Sequence, residues 1–166
     1  MDLSRNLLTG SLPASLRSLT RLSSFRLRDN YLFGSGFVFS PLLPDSLLEL
    51  DLSLNFLTGT LQEEIWILSS LETLNLRRNS FTGAIPEGIL PGNHLSTLDL
   101  SENSWTGSIP FDFGQLTNLI SLDLSDIRLS GLSLPTTWEF LSSMTKLESL
   151  DLSRNYIGFF QRKLRI

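Results

Sequence analysis

One short tract, Leu-Asp-Leu-Ser-x-Asn, recurs about every 24 residues through the 166 residues of this chain and constrains its fold more than any other feature. A seventh copy carries Ile127 in place of the final asparagine. Seven aligned copies at a near-constant spacing indicate a repeat protein, in which each unit forms one layer of a stack. The asparagine positions are Asn6, Asn30, Asn55, Asn79, Asn103 and Asn155.

The two leucines of the tract predict a short strand with one buried face. Residues two apart in a strand point to the same side, so the leucines face a core and the intervening residues face outward. One such strand cannot bury its leucines alone, and we therefore expect successive units to stack as parallel strands. The asparagine follows the strand, where its amide can bond backbone groups inside the bend, and stacked amides would form a ladder.

The residues after three of the asparagines resemble the plant-type leucine-rich repeat. They read NLLTGSLP from Asn6, NSFTGAIP from Asn79 and NSWTGSIP from Asn103. The resemblance implies an α/β right-handed solenoid with a parallel concave β-sheet, and short helices or 3₁₀ turns on the convex side. Members include ectodomains of receptor-like kinases, receptor-like proteins and polygalacturonase inhibitors, which recognise partners and do no chemistry in the repeat domain.

We expect residues 1–166 to form one leucine-rich-repeat domain of about six full repeats plus a partial C-terminal repeat. Family ectodomains carry a secretion signal and cysteine-paired caps, neither of which is found here, so the chain is interpreted as a fragment. The family implies an extracellular or cell-surface location, and an intracellular repeat protein remains open. Uncapped repeats expose core and strand edges, which predicts end-to-end self-association unless the tail at residues 159–166 covers one end.

Composition argues against several classes of function. The net charge is −4, which disfavours nucleic-acid binding. There are no cysteines and one histidine, which leaves little for thiolate catalysis or for metal sites. No apolar run is long enough to span a membrane. We therefore expect no cofactor, no metal site and no catalytic residue, and we predict that the chain is not an enzyme.

The outward strand positions are the candidate contacts for a partner. Two repeats depart from the usual Asp-Leu-Ser, and their arginines could bind a carboxylate or sulfate on a ligand. The alternative is a solvated face with ordinary ion pairs, such as Arg26 with Asp51. Paired carboxylates on later repeats also raise a remote glycosidase alternative. The candidate positions are Arg26, Arg28, Asn75, Arg77, Arg78, Asp99, Glu102, Asp123 and Asp126.

Two details of the later repeats carry their own expectations. The stretch TTWEFLSSMTKL, within a repeat lengthened by four residues, predicts a short convex helix. Ile127 has no amide, so it should interrupt the asparagine ladder, and Ile127→Asn should stabilise the fold by about 1 kcal/mol.

These observations together favour a recognition module. The resemblance implies binding of a protein or peptide ligand, with a co-receptor as a further candidate partner, in signalling, defence or development. An inhibitor of a secreted polygalacturonase is the alternative within the same family.

Overall fold

Two rows of short parallel strands form the body of the protein in this computed structural model, which describes residues 1–34, 43–130 and 136–156. The first row is a six-stranded sheet made by the Leu-x-Leu tracts: β2 (Ser24–Arg26), β4 (Glu49–Asp51), β6 (Thr73–Asn75), β8 (Thr97–Asp99), β10 (Ser121–Asp123) and β11 (Ser149–Asp151). The second row is a five-stranded sheet that follows the asparagines: β1 (Thr9–Gly10), β3 (Tyr31–Gly34), β5 (Phe56–Gly59), β7 (Ser80–Ala84) and β9 (Ser104–Thr106).

The strands of the first sheet are in register from repeat to repeat. Leu50 lies beside Leu74, Leu74 beside Leu98, and Leu98 beside Leu122, all in parallel pairs. These side chains are at most 1% exposed, as expected for leucines that stack in one column of the core. The predicted stacking of parallel strands is confirmed.

The convex side is built from 3₁₀ helices at Ala14–Ser18, Glu63–Ile67, Phe111–Gln115 and Thr136–Ser143. The last of these lies in the stretch predicted as a short helix, and Phe140 and Met144 bury their side chains there. The last two of these helices pack against each other at Gly114, where an added Cβ would lie at van der Waals distance, 3.4 Å, from the carbonyl oxygen of Phe140. No helix in the described part of the chain is long and apolar enough to cross a membrane.

The asparagine side chains connect each repeat to the preceding one. The amide nitrogen of buried Asn55 donates to the carbonyl oxygens of Leu52 in its own repeat and Leu27 in the previous repeat, both at 3.0 Å. Its amide oxygen accepts from the backbone N–H of Leu32 at 3.0 Å. Corresponding bridges between repeats are made by Asn30, Asn79, Asn103 and Asn155. In the first repeat, Asn6 donates within its own turn, to Leu3 and Ser4.

The ladder is interrupted at Ile127, and a tryptophan compensates for the missing amide. Ile127 is fully buried, and no side-chain amide donates from this position to the carbonyl oxygen of Leu100. The indole nitrogen of Trp105 donates to that oxygen instead, at 2.9 Å. Trp105 is also fully buried and stacks on Phe81, with ring centroids 5.3 Å apart. The Leu100 carbonyl therefore accepts from two side chains, Asn103 of its own repeat and Trp105, just as the Leu52 carbonyl accepts from Asn55 and Asn79.

The residue before each asparagine position has a left-handed backbone. The φ angles lie between 51° and 60° at Arg5, Asp29, Leu54, Arg78, Glu102, Asp126 and Arg154. This conformation turns the chain out of the first sheet and places these side chains on the rim beyond the strand ends. The predicted terminal cover by residues 159–166 lies outside the described residues, and end-to-end association stays a prediction.

Candidate recognition face

The first sheet presents its outward side chains as parallel columns that run from repeat to repeat. Neighbouring strands are about 4.8 Å apart, so side chains in one column are close neighbours. One column contains Arg26, Asp51, Asn75, Asp99 and Asp123, which are successive register partners. We call the outward side of this sheet, with the two residues that follow each strand, the concave face.

The aspartates of this column are engaged by their own turns. Oδ1 of Asp99 accepts from the backbone N–H of Ser101 at 3.0 Å and from its hydroxyl at 2.6 Å. Asp123 accepts in the same way from Ser125, at 2.9 and 2.6 Å. Asn75 uses its side-chain oxygen similarly, accepting from the N–H of Arg77 at 3.0 Å. The Asp-Leu-Ser tract is thus explained by turn formation.

Burial raises the pKa of Asp99 above its ordinary value of 3.8, and the Ser101 hydrogen bonds oppose this effect. A carboxyl whose pKa is higher in the folded than in the unfolded state loses stability as the pH rises between the two values. We therefore expect the stability of Asp99→Asn, relative to that of the wild type, to increase as the pH is raised from about 4 to about 7. Urea unfolding of both proteins at the two pH values measures this difference, and a constant difference would contradict it.

Glu49 provides an internal control, because its pKa is shifted in the direction opposite to that of Asp99. The hydrogen bond from Arg26 is the main cause that lowers the pKa of Glu49 below its ordinary value of 4.5. Its stabilising contribution is present above the unfolded value and is lost as the pH falls. Glu49→Gln should therefore lose stability relative to the wild type as the pH rises, with a slope opposite in sign to that of Asp99→Asn.

Arg26 is held by Glu49 on the neighbouring strand. Its guanidinium donates to both carboxylate oxygens, Nε at 2.7 Å and one terminal nitrogen at 2.6 Å. Ser24 adds a hydroxyl donor to the same carboxylate at 2.9 Å. This pairing differs from the expected one, because Asp51, the register partner of Arg26, is already bonded to Ser53.

A second ion pair lies two repeats further along. Arg77 donates to Glu102, which also lies 4.0 Å from the side chain of Arg78. Asp126 lies 3.9 Å from Arg154 in the last repeat. Arg78, Glu102 and Asp126 have the left-handed backbone of the rim, so they border the concave face and are not part of the strands.

Arg28 differs from the other arginines of the face. Its side chain is exposed, and it makes no ion pair or side-chain hydrogen bond with any residue that the structure describes. The equivalent positions in the flanking repeats are Ser4 and Ser53, so no acidic side chain of its own column is beside it. Of the four arginines in the predicted cluster, three have a carboxylate within 4.0 Å, and Arg28 has none among the described residues.

Glu49 was missed by the sequence reasoning, although it determines the state of Arg26. The signal was present: position 49 is aligned with Ser24, Thr73 and Thr97, and is acidic where the others carry hydroxyl groups. Among the described residues, no three histidine, cysteine or carboxylate side chains are grouped as they would be to hold a metal ion.

Comparisons with known proteins agree with this architecture. The family model described as Leucine Rich Repeat matches residues 1–19, 70–91 and 94–116. No curated protein matches the chain. Among solved structures, a plant peptide hormone receptor, RGFR1 in complex with RGF2, is 38% identical with a TM-score of 0.86. The match covers 94% of this chain and 24% of the receptor chain.

Two further structures show how widely this fold is used. The Arabidopsis receptor kinase HAESA, solved with the peptide hormone IDA and the co-receptor SERK1, is 31% identical with a TM-score of 0.74, over 95% of this chain and 30% of the receptor. A plant ice-binding protein is 34% identical with a TM-score of 0.74, over 90% of this chain and 46% of that protein. The chain thus spans about a quarter to a half of these relatives, and the fold they share serves more than one function.

Proposed function

Because this chain is a leucine-rich-repeat protein similar to plant receptor ectodomains, we propose that its concave face recognises an extended acidic peptide. The observation that carries the proposal is Arg28, an exposed guanidinium without an ion pair in the described part of the chain. A guanidinium presents several N–H donors in a fork that matches a carboxylate.

Arg77 provides a second point of attachment in the same column. It lies two repeats from Arg28, about 10 Å away along the stack. Glu102 holds its guanidinium on one side while about half of the arginine side chain stays exposed. A peptide in the extended polyproline II conformation rises about 3.1 Å per residue and returns to the same side every three residues, so two acidic residues three positions apart would reach both arginines.

Hydroxyl side chains beside the arginines suit the backbone of such a peptide. Ser24, Thr73, Thr97 and Ser121 occupy one outward column and are partly exposed. Hydroxyl groups both donate and accept, so they can bond peptide N–H and C=O groups without selecting a side chain. Specificity would then come from the arginines. We further propose a cell-surface location and a co-receptor, by similarity to the relatives.

The experiment is selection from a random peptide display library, with the unmodified chain as bait. We expect enrichment of peptides with two acidic residues about three positions apart. An exposed ion pair is worth about 0.2 to 1 kcal/mol, so Arg28→Ala, Arg77→Ala should weaken their binding roughly two- to thirtyfold in total. Binding should also weaken as the salt concentration rises.

The matched control is Arg17→Ala, Arg21→Ala, which removes the same charge from two exposed arginines outside the concave face. It should leave peptide binding unchanged at low salt. Equal loss in both double variants would show only a net-charge effect and would contradict the proposal. Inhibition of a fungal polygalacturonase that depends on Arg28 and Arg77, without peptide enrichment, would assign the face to a secreted enzyme instead.

A further inference from the structure

A second surface lies on the rim, separate from the strands of the concave face. Three successive turns form an open groove of about 490 Å³, lined by Asp29, Tyr31, Leu54, Phe56, Arg78 and Ser80 together with the ladder asparagines. We call this surface the aromatic groove. The asparagine amides in the groove already donate to the carbonyls of the ladder. The charged groups that line the groove are Asp29 and Arg78.

Two exposed aromatic rings stand side by side in this groove. Tyr31 is 49% exposed and Phe56 is 55% exposed, and both directly follow a ladder asparagine. Their ring centroids are 6.0 Å apart and their planes differ by 21°, so the rings are stacked along the repeat direction. Two neighbouring rings exposed to this degree form an apolar surface whose burial by a partner would be favourable.

The stack ends at Ser80, which occupies the same position in the next repeat. Ser80 is exposed and has no ring, so the place next to Phe56 above Ser80 is open. A ring bound there would continue the row, and stacked aromatic pairs are favourable beyond the area that they bury. Arg78 belongs to the same turn, and its nearest carboxylate contact, with Glu102, is 4.0 Å long.

The two charged side chains of the groove predict the orientation of a bound peptide. Asp29 lies two repeats from Arg78, about 10 Å along the stack, and makes no ion pair with a described residue. We propose that the aromatic groove binds an extended peptide with a basic residue, an aromatic residue three positions later and a carboxylate next to it. The aromatic ring stacks on Phe56 above Ser80, the carboxylate pairs with Arg78, and the basic side chain pairs with Asp29.

The test uses the full chain and the acetylated, amidated probe peptide KAAYE, with binding followed by calorimetry at low salt. Ser80→Phe should fill the open place with the protein's own ring and weaken KAAYE binding about three- to tenfold. Ser104→Phe is the matched control, because it adds a ring at the same position one repeat beyond the groove. It should bind KAAYE like the wild type. The peptides KAAAE and EAAYK should bind several-fold more weakly than KAAYE.

A charge reversal keeps the proposal testable should Ser80→Phe fail to fold. Arg78→Glu should weaken KAAYE about two- to fivefold and strengthen KAAYK, whereas Arg154→Glu, at the equivalent rim position of another repeat, should do neither. No binding of KAAYE at millimolar concentration, or equal binding by Arg78→Glu and the wild type, would overturn the proposal. Arg28→Ala alone, which leaves Glu102 paired with Arg77, should leave KAAYE binding unchanged, so this site and the acidic-peptide site can fail independently.

Discussion

Replacing Asn55 with alanine should lower the free energy of unfolding by about 3 to 5 kcal/mol. The substitution removes a donor to Leu27 and to Leu52 and the acceptor for Leu32, in a turn where the Asn55 side chain is buried. The N–H of Leu32 loses its acceptor, which costs about 1 to 3 kcal/mol for a buried group. The carbonyls of Leu27 and Leu52 each lose one of two amide donors, at about 0.5 to 1.5 kcal/mol each, because Asn30 and Asn79 still donate to them. Equilibrium unfolding in urea measures the change as a shift in midpoint at constant slope.

Asn6→Ala is the matched control for this prediction. Asn6 has the same place in its repeat, but it is exposed and donates within its own turn to Leu3 and Ser4. Water can replace the lost amide there, so the loss should stay below about 1 kcal/mol. Similar losses for Asn6→Ala and Asn55→Ala would show that the bridge between repeats contributes little.

Trp105→Phe should destabilise the protein by about 2 kcal/mol, and the effect should depend on residue 127. The substitution removes the indole donor to the Leu100 carbonyl and leaves a small cavity in the core. It keeps an aromatic ring that can stack on Phe81. The loss should therefore exceed that of a surface substitution and remain below that of Asn55→Ala.

The same contact changes the expectation for Ile127→Asn. Ile127 is fully buried, and Trp105 already supplies the donor that an asparagine would bring to Leu100. Ile127→Asn alone should therefore destabilise the protein by about 1 to 2 kcal/mol, contrary to the stabilisation expected from the sequence. In the Trp105→Phe background, the Leu100 carbonyl has lost the indole donor, and the new amide can donate to it. The destabilisation caused by Ile127→Asn should therefore be smaller there by about 1 kcal/mol. Additive effects of the two substitutions would rule out this compensation.

The leucine columns and the parallel stacking could be predicted from the sequence because they follow from period and alternation. Leu50, Leu74 and Leu98 recur at one place in each repeat, and such positions can be buried only if the repeats stack. The second sheet was not predicted. Its strands have two to five residues, which is too short for an alternating pattern to stand out.

The site was harder to predict, because neighbours on the concave face come from different repeats and compete for the same partners. Asp51 is the register partner of Arg26, but its own turn engages it through Ser53, and Glu49 takes the arginine. The role of Trp105 had a visible signal in the sequence: a tryptophan replaces the usual leucine or phenylalanine just before the repeat that lacks its asparagine. The role of Trp105 could be recognised only by knowing to which carbonyl the missing asparagine would have donated.

The reactivity of individual arginines towards phenylglyoxal, with and without a selected acidic peptide, tests the proposed recognition face most directly. Mass spectrometry of the labelled protein reports each arginine separately. Arg28, which is exposed and free of ion pairs in the described structure, should react readily alone and be protected with Arg77 when peptide is bound. Arg17 and Arg21 should react equally in both states. Protection of Arg17 and Arg21, with Arg28 unchanged, would contradict binding at the concave face.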